Sequence, residues 1–166
     1  RLGHSRVLVS MVWAGLWDIY NDFHMGNTAE LVAQKYEITR AMQDEFAAAS
    51  HRKAVEATSA GRLDAEKFAI SIPQKKGDDA VQFAVDESPR EDTSLETLAR
   101  LEPAFKVGGT VTAGNAPGVN DGAAALVVTS QETAAALGRK PLARIVGQAV
   151  SGLEPSMVMM TPVEAV

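Results

Sequence analysis

The chain has 166 residues, 46% of them hydrophobic and 22% charged, with a formal net charge of −5; that balance suits one ordinary domain with a core and disfavours a broad nucleic-acid or anionic-membrane surface. It holds no cysteine, which excludes disulfides, thiolate metal sites and a cysteine nucleophile within the chain itself. No apolar run approaches the length needed to span a bilayer and no signal-peptide pattern opens the sequence, so the expected location is cytoplasmic.

Residues 1–23 join a basic start (Arg1, His4, Arg6) to an apolar supply that includes Val7, Leu8, Val9, Trp13, Leu16 and Trp17. An apolar segment with two tryptophans reads as core or subunit interface. His24-Met25-Gly26 follows. By residue type alone the histidine reads as a surface or satisfied core group, while the methionine suits an adaptable apolar wall. Asn27 and Glu30 have capping-box spacing, which predicts a short helix over 28–35. Thr39 caps a longer helix over 40–60, closed by Gly61 just past its end. Its pattern places Met42, Phe46, Ala47 or Ala49, Ala54 and Ala57 inward, and Gln43, Asp44, Glu45, Arg52, Lys53 and Glu56 outward. His51 sits among charges and is expected in solvent.

Residues 68–72 alternate as a strand ended by Pro73, Lys75 to Asp79 form a polar turn, and 81–85 return as a second strand, so the pair reads as a hairpin. Residues 86–93 are a charged loop. Arg90 in it reads as paired with a neighbouring carboxylate, although a guanidinium can also stack on adenine or meet a phosphate. Residues 94–99 predict a short helix with Leu95 and Leu98 inward, before Pro103. Then comes a stretch of small residues, 108–122, in which Asp121 is the only charge. Its glycines let the backbone pass close to another segment or a ligand, and Thr112, Asn115, Asn120 and Asp121 make it read as a binding loop held against the core. Runs 123–129 and 142–150 predict buried strands around a helix over 131–137, capped by Ser130 and followed by Gly138. The expected ending is therefore strand–helix–strand with a crossover in one sheet. Residues 161–166 read as the start of a helix, and with Arg1 at the other end the chain is expected to be an internal piece of a longer protein. The glycines of 108–122 lack the Gly-x-Gly-x-x-Gly order of a dinucleotide site, and no Gly-x-Ser-x-Gly elbow occurs.

Three stretches carry a resemblance. They are Gly15-Leu16-Trp17-Asp18 with His24-Met25-Gly26-Asn27-Thr28-Ala29-Glu30, then Leu101-Glu102-Pro103-Ala104-Phe105, then residues 110–125. In this order they resemble segments of the thiolases, the acetyl-CoA acetyltransferases. The resemblance spans essentially the whole chain. It implies an α/β class: a partial thiolase-like fold, a mixed sheet with helices plus an inserted α+β loop domain. Residues 1–119 would be the coenzyme A-binding loop domain, and 120–166 the last strands and helix of the N-terminal half. It further implies acyl transfer between coenzyme A and an enzyme cysteine, with acetyl-CoA or acetoacetyl-CoA as substrate and no separate cofactor or metal. The parent would be a homodimer or homotetramer, with residues 1–14 in or beside the loop through which dimers meet, and would serve fatty acid metabolism. By the same resemblance Leu16, His24, Met25, Arg90, Leu98, Phe105, Ala113, Gly114 and Pro117 would line the coenzyme A and pantetheine channel. The family's nucleophile precedes this segment, and its other catalytic groups follow it. This chain alone is therefore expected to be inactive. Two departures stand out. Pro117 replaces a common serine, and Met157-Val158-Met159-Met160-Thr161-Pro162 replaces Met-Gly-x-Gly-Pro. The competing reading is a non-catalytic thiolase-like module for binding or assembly.

Overall fold

The computed structural model describes residues 7–75 and 79–166. Arg1, His4, Arg6 and the centre of the polar turn (Lys76, Gly77, Asp78) lie outside them. A π-helical turn, Val12–Leu16, leads into β1 (Trp17–Asp18), which pairs antiparallel with β2 (Phe23–His24) in the register Trp17↔His24. Asp18 closes the turn between them. Its carboxylate accepts from the Asn21 side chain and from the Tyr20 and Asn21 amides, and those bonds, the Asn21 side chain first, hold it below the usual carboxylate range. Trp13 and Trp17 stack with centroids 5.8 Å apart. Val7, Val9, Ile19 and Tyr20 remain exposed, so this segment supplies no core to the chain itself.

Helix α1 spans Met25–Lys35 and starts earlier than the capping-box spacing predicts. The cap is His24, whose Nδ1 accepts from the Gly26 amide at 2.9 Å. Asn27 lies inside the helix, and Glu30 turns away from the helix end to serve another segment. Helix α2 (Arg40–Ser59) is as expected, with the Thr39 hydroxyl accepting from the Met42 amide and Gly61 at φ +67° beyond its end. Its buried face is not the expected one. Ala47 is buried as expected, but Met42 and Phe46 are 53% and 79% exposed, whereas Asp44 is 4% exposed. The inward stripe is Arg40, Gln43, Asp44 and Ala47, which has helical spacing but is mostly polar. Hydrogen bonds to neighbouring loops, rather than apolar area, decided which side faces in.

The hairpin forms as β3 (Ile70–Ile72) and β4 (Val81–Phe83), paired antiparallel with Ile70↔Phe83 and Ile72↔Val81. Helix α3 (Leu95–Ala99) has a capping box in which Ser94 and Thr97 satisfy each other's amides and hydroxyls. Leu98 is buried as expected, but Leu95 is exposed. Helix α4 (Gln131–Ala136) carries the expected Ser130 cap and has Gly138 at φ +62°. The runs at 123–129 and 142–150 form no ladder among the described residues, and Leu126, Val127, Leu142 and Val150 are almost fully exposed. A strand needs a neighbour's N–H and C=O groups to complete it, and apolar sequence alone supplies neither. The expected crossover is therefore not formed. A 3₁₀ segment, Pro155–Met160, packs on α1, and α5 (Thr161–Ala165) begins where a helix start is predicted.

The described residues thus combine helices with two short antiparallel ladders, and most of the buried side chains gather under one loop, Ala134 of α4 being buried apart from it. Leu98, Val111, Ala33 and Ala47 are the group's apolar members, and Thr28, Glu30, Asp44 and Thr112 are the buried polar side chains.

Candidate functional site

The site is built from the segment 101–117 and the two helices that hold it. Residues 103–104 and 111–112 lie side by side: Ala104 N donates to Val111 O at 2.9 Å and Pro103 bridges Thr112. Thr112, fully buried, then turns the chain. Its amide donates to Asn115 Oδ1 at 2.7 Å, its carbonyl accepts from the Asn115 and Ala116 amides, and its hydroxyl accepts from Gly114 N at 3.2 Å. These local bonds replace a sheet partner, so the backbone groups of a short irregular loop are satisfied.

Two helices clamp this loop. From α1, Glu30 is 6% exposed, and its Oε1 accepts from Thr110 N and Val111 N, each at 2.8 Å. Its Oε2 accepts from Thr110 N at 3.0 Å and from Thr110 Oγ1 at 3.1 Å. From α2, Gln43 Nε2 donates to Thr110 Oγ1 at 2.8 Å, and Asp44 Oδ1 accepts from Asn115 Nδ2 at 2.9 Å. Arg40 ties α3 to the same network, pairing with Asp44 at 2.8 Å and donating to the carbonyls of Leu98 and Leu101 at 2.6 and 2.9 Å. Hydrogen bonds to ionised groups contribute about 1.5–3 kcal/mol each, more than neutral ones. A buried carboxylate facing a row of amides suits that role.

Of the residues singled out by resemblance, some are brought together and others are not. His24 and Phe105 stack with centroids 4.9 Å apart and 19° between planes. Gly26 lies directly under the Phe105 ring, where a Cβ would overlap the ring atoms. Met25 adjoins this pair as the first residue of α1, and Leu16 is half-buried at the entry to β1. Leu98 lies beneath Gly114, at which a Cβ would sit 2.5 Å from Leu98 and Leu101 methyl carbons. Ala113 and Pro117 are exposed on the loop's outer side. A side chain at Gly114 would force those leucine methyls to shift, while Ala113 presents the loop outward.

Arg90 stands apart from the His24–Phe105 pair. It borders an open groove of about 430 Å³ between α2 and residues 90–95, lined also by Arg52, Glu45, Glu56, Glu91 and Leu95. Its guanidinium is held by Asp92, with Nε to Oδ1 at 3.0 Å and the second bond at 2.8 Å. That pairing raises the arginine's pKa and holds the Asp92 carboxyl below its usual range, the hydrogen bond being the larger cause in both. His51 is half-buried rather than free in solvent, and its Nδ1 accepts from Arg90 N at 3.1 Å. One helix joins the two places: Leu95 of α3 lines the groove, and Leu98, one turn on, supports the loop.

The sequence reading gave Glu30 a capping role and turned Gln43 and Asp44 outward, so it placed none of the three in the site. The signal for the last two was present as the i, i+3, i+4, i+7 stripe from Arg40 to Ala47, but it was polar. Among the described residues no group of three His, Asp or Glu side chains is placed to hold a metal ion.

Comparison with known proteins gives this geometry a family context. The family model for the thiolase N-terminal domain matches residues 1–132. An acetyl-CoA acetyltransferase of Pseudomonas aeruginosa is 49% identical over 165 residues, covering 99% of this chain and 42% of the relative. Among solved structures, the acetyl-CoA acetyltransferase of Bacillus anthracis superposes with a TM-score of 0.88 at 44% identity, over 99% of this chain and 41% of that one. Human mitochondrial 3-ketoacyl-CoA thiolase superposes with a TM-score of 0.87 at 40% identity, over 99% and 41% of the two chains. The chain therefore spans about two fifths of the length of the relatives it matches. Its fold is a partial thiolase-like α/β fold.

Proposed function

Since this chain is a member of the thiolase family, we propose that it is the coenzyme A-binding segment of an acetyl-CoA C-acetyltransferase, in which acetoacetyl-CoA is formed or cleaved through an acetyl-cysteine intermediate. The observation that carries the proposal is the 49% identity over nearly the whole chain to a relative named for that activity. The site's geometry supports it. Residues 1–119 act as the loop domain that receives the ligand, and residues 120–166 lead toward the rest of the catalytic framework.

In this reading the ligand lies across the loop with its two ends served by different chemistry. At one end, the stacked His24–Phe105 pair and Met25 form an apolar wall for the pantetheine arm near the thioester. The segment Ala113–Gly114, pinned from below by Leu98, lets the arm run close to backbone. At the other end, Arg90 receives the adenine. Asp92 takes two of the guanidinium's five in-plane donors, and the guanidinium borders the open groove, where a flat guanidinium face can stack on an aromatic base. The carboxylates around the groove argue against a phosphate seated within it. Pro117 offers neither a hydroxyl nor an amide N–H, so any polar contact to pantetheine there comes from its neighbours. The nucleophile and the groups that activate it belong to other parts of the parent protein, because this chain has no cysteine.

A homodimeric or homotetrameric parent, working in the cytoplasm in fatty acid metabolism, is part of the proposal. The exposed apolar side chains of Val7, Val9 and Trp13 support an interface at the start of the chain. The test is coenzyme A release by the full-length protein from two acetyl-CoA molecules, or thiolysis of acetoacetyl-CoA. Failure of the folded protein to do either refutes the assignment.

A further inference from the structure

We propose that Glu30 is a positioning residue for the acyl-CoA site: its carboxylate sets the path of residues 110–114, and through them the place of Phe105. The inference rests on the functional reading above. Three observations carry it. First, Glu30 is the contact through which α1 holds the loop by side-chain hydrogen bonds, and it takes both the Thr110 and the Val111 amides on one oxygen at 2.8 Å. Second, the fit is reciprocal. At Gly109 a Cβ would overlap the Glu30 carboxylate and lie 2.9 Å from Lys106 O, so the loop is shaped around the carboxylate. Third, the amides that Glu30 fixes belong to the strand-like segment that accepts from Ala104 N at 2.9 Å, immediately before Phe105. Phe105 in turn is confined by His24 and by Gly26, the latter on the same helix as Glu30. Helix α1 therefore sets the ring twice, from below through Gly26 and from behind through Glu30.

The chemistry predicts an order among variants. In Glu30→Gln the oxygen that takes both amides is kept. The new NH₂ replaces Oε2, facing Thr110 Oγ1, which can accept, and Thr110 N, which cannot. In Glu30→Ala both amides lose this partner, and the Val111 amide, which is buried, must open to water or stay unpaired.

The experiment uses the full-length protein and two substrates, acetyl-CoA and acetyl-pantetheine, with Arg90→Ala as comparator. Glu30→Ala is expected to raise KM for both thioesters by a similar factor, roughly tenfold, and Glu30→Gln by roughly threefold or less. Arg90→Ala should affect only the substrate that carries adenine. Amide exchange followed by mass spectrometry should quicken over 103–115 in Glu30→Ala and stay unchanged over 70–83. A purely structural role would reduce the amount of active enzyme, and so kcat, while leaving KM unchanged; that result overturns the proposal. Unchanged exchange over 103–115 in Glu30→Ala also overturns it. If Glu30→Ala does not fold, Glu30→Gln, which keeps the side chain's shape, gives the same two readouts on the smaller scale stated above. Should the wild-type protein turn over neither thioester, the functional reading falls, and exchange over 103–115 alone decides whether the clamp exists.

Discussion

Replacing Phe105 by alanine separates the two ends of the proposed channel. The ring is half-buried, stacked on His24 at 4.9 Å and seated over Gly26. Truncating a fully buried phenylalanine costs about 3–5 kcal/mol, so a half-buried one loses roughly half of that, about 1.5–2.5 kcal/mol of packing. The more telling loss is positional. With the ring gone, one wall beside His24 opens by the width of a side chain, and a misplacement near 1 Å at a reacting carbon lowers rate by roughly 100-fold. We expect Phe105→Ala to lower kcat by about 10- to 100-fold and to raise KM as well. Gly26→Ala tests the same point without removing the ring, since the added Cβ must push it off its seat; kcat should fall in the same direction. Arg90→Ala is the contrast. Its guanidinium is exposed and paired with Asp92, far in character from a buried charge. Its loss should raise KM for acetyl-CoA by roughly two- to fivefold and leave kcat nearly constant, as expected for uniform binding. The assay is steady-state acetoacetyl-CoA thiolysis by the full-length protein, with circular dichroism as a folding check. If Arg90→Ala chiefly depressed kcat while Phe105→Ala left both constants unchanged, the assignment of channel ends would be refuted.

The chain by itself should form no covalent acetyl-enzyme, because it has no cysteine; intact-mass spectrometry after incubation with acetyl-CoA should show no stoichiometric, turnover-competent adduct. The Asp92 carboxyl should titrate below the ordinary value of 3.8, and in Arg90→Ala it should move up toward that value, as read by carboxyl ¹³C shifts in an acid titration. The sign follows from the pairing. A depressed folded-state pKa means the pair stabilises the folded protein above the unfolded value, and that contribution disappears as pH falls through the folded one. A carboxyl shift that ignored the Arg90 substitution would dismiss the pairing as its cause.

Local chemistry was legible in the sequence wherever one side chain and the next few residues decide the outcome. Thr39 and Ser130 cap their helices as read, Gly61 and Gly138 take positive φ past helix ends, and the hairpin at 70–83 pairs as its alternation implies. The ordered motifs around His24, Phe105 and 110–125 likewise pointed to a family that comparison then established. What the sequence could not decide was which partner a group would choose when several were chemically equal. Glu30 had capping-box spacing, yet its carboxylate went to Thr110 and Val111, 80 residues away, while His24 took the cap. Asp44 looked like a solvated charge on an amphipathic helix, but a waiting Asn115 and Arg40 made burial favourable and turned Met42 and Phe46 outward. The apolar runs at 123–129 and 142–150 show the converse limit. Their composition suits strands, but a strand exists only when a neighbouring backbone completes its ladder, and that is a property of tertiary structure rather than of the run itself.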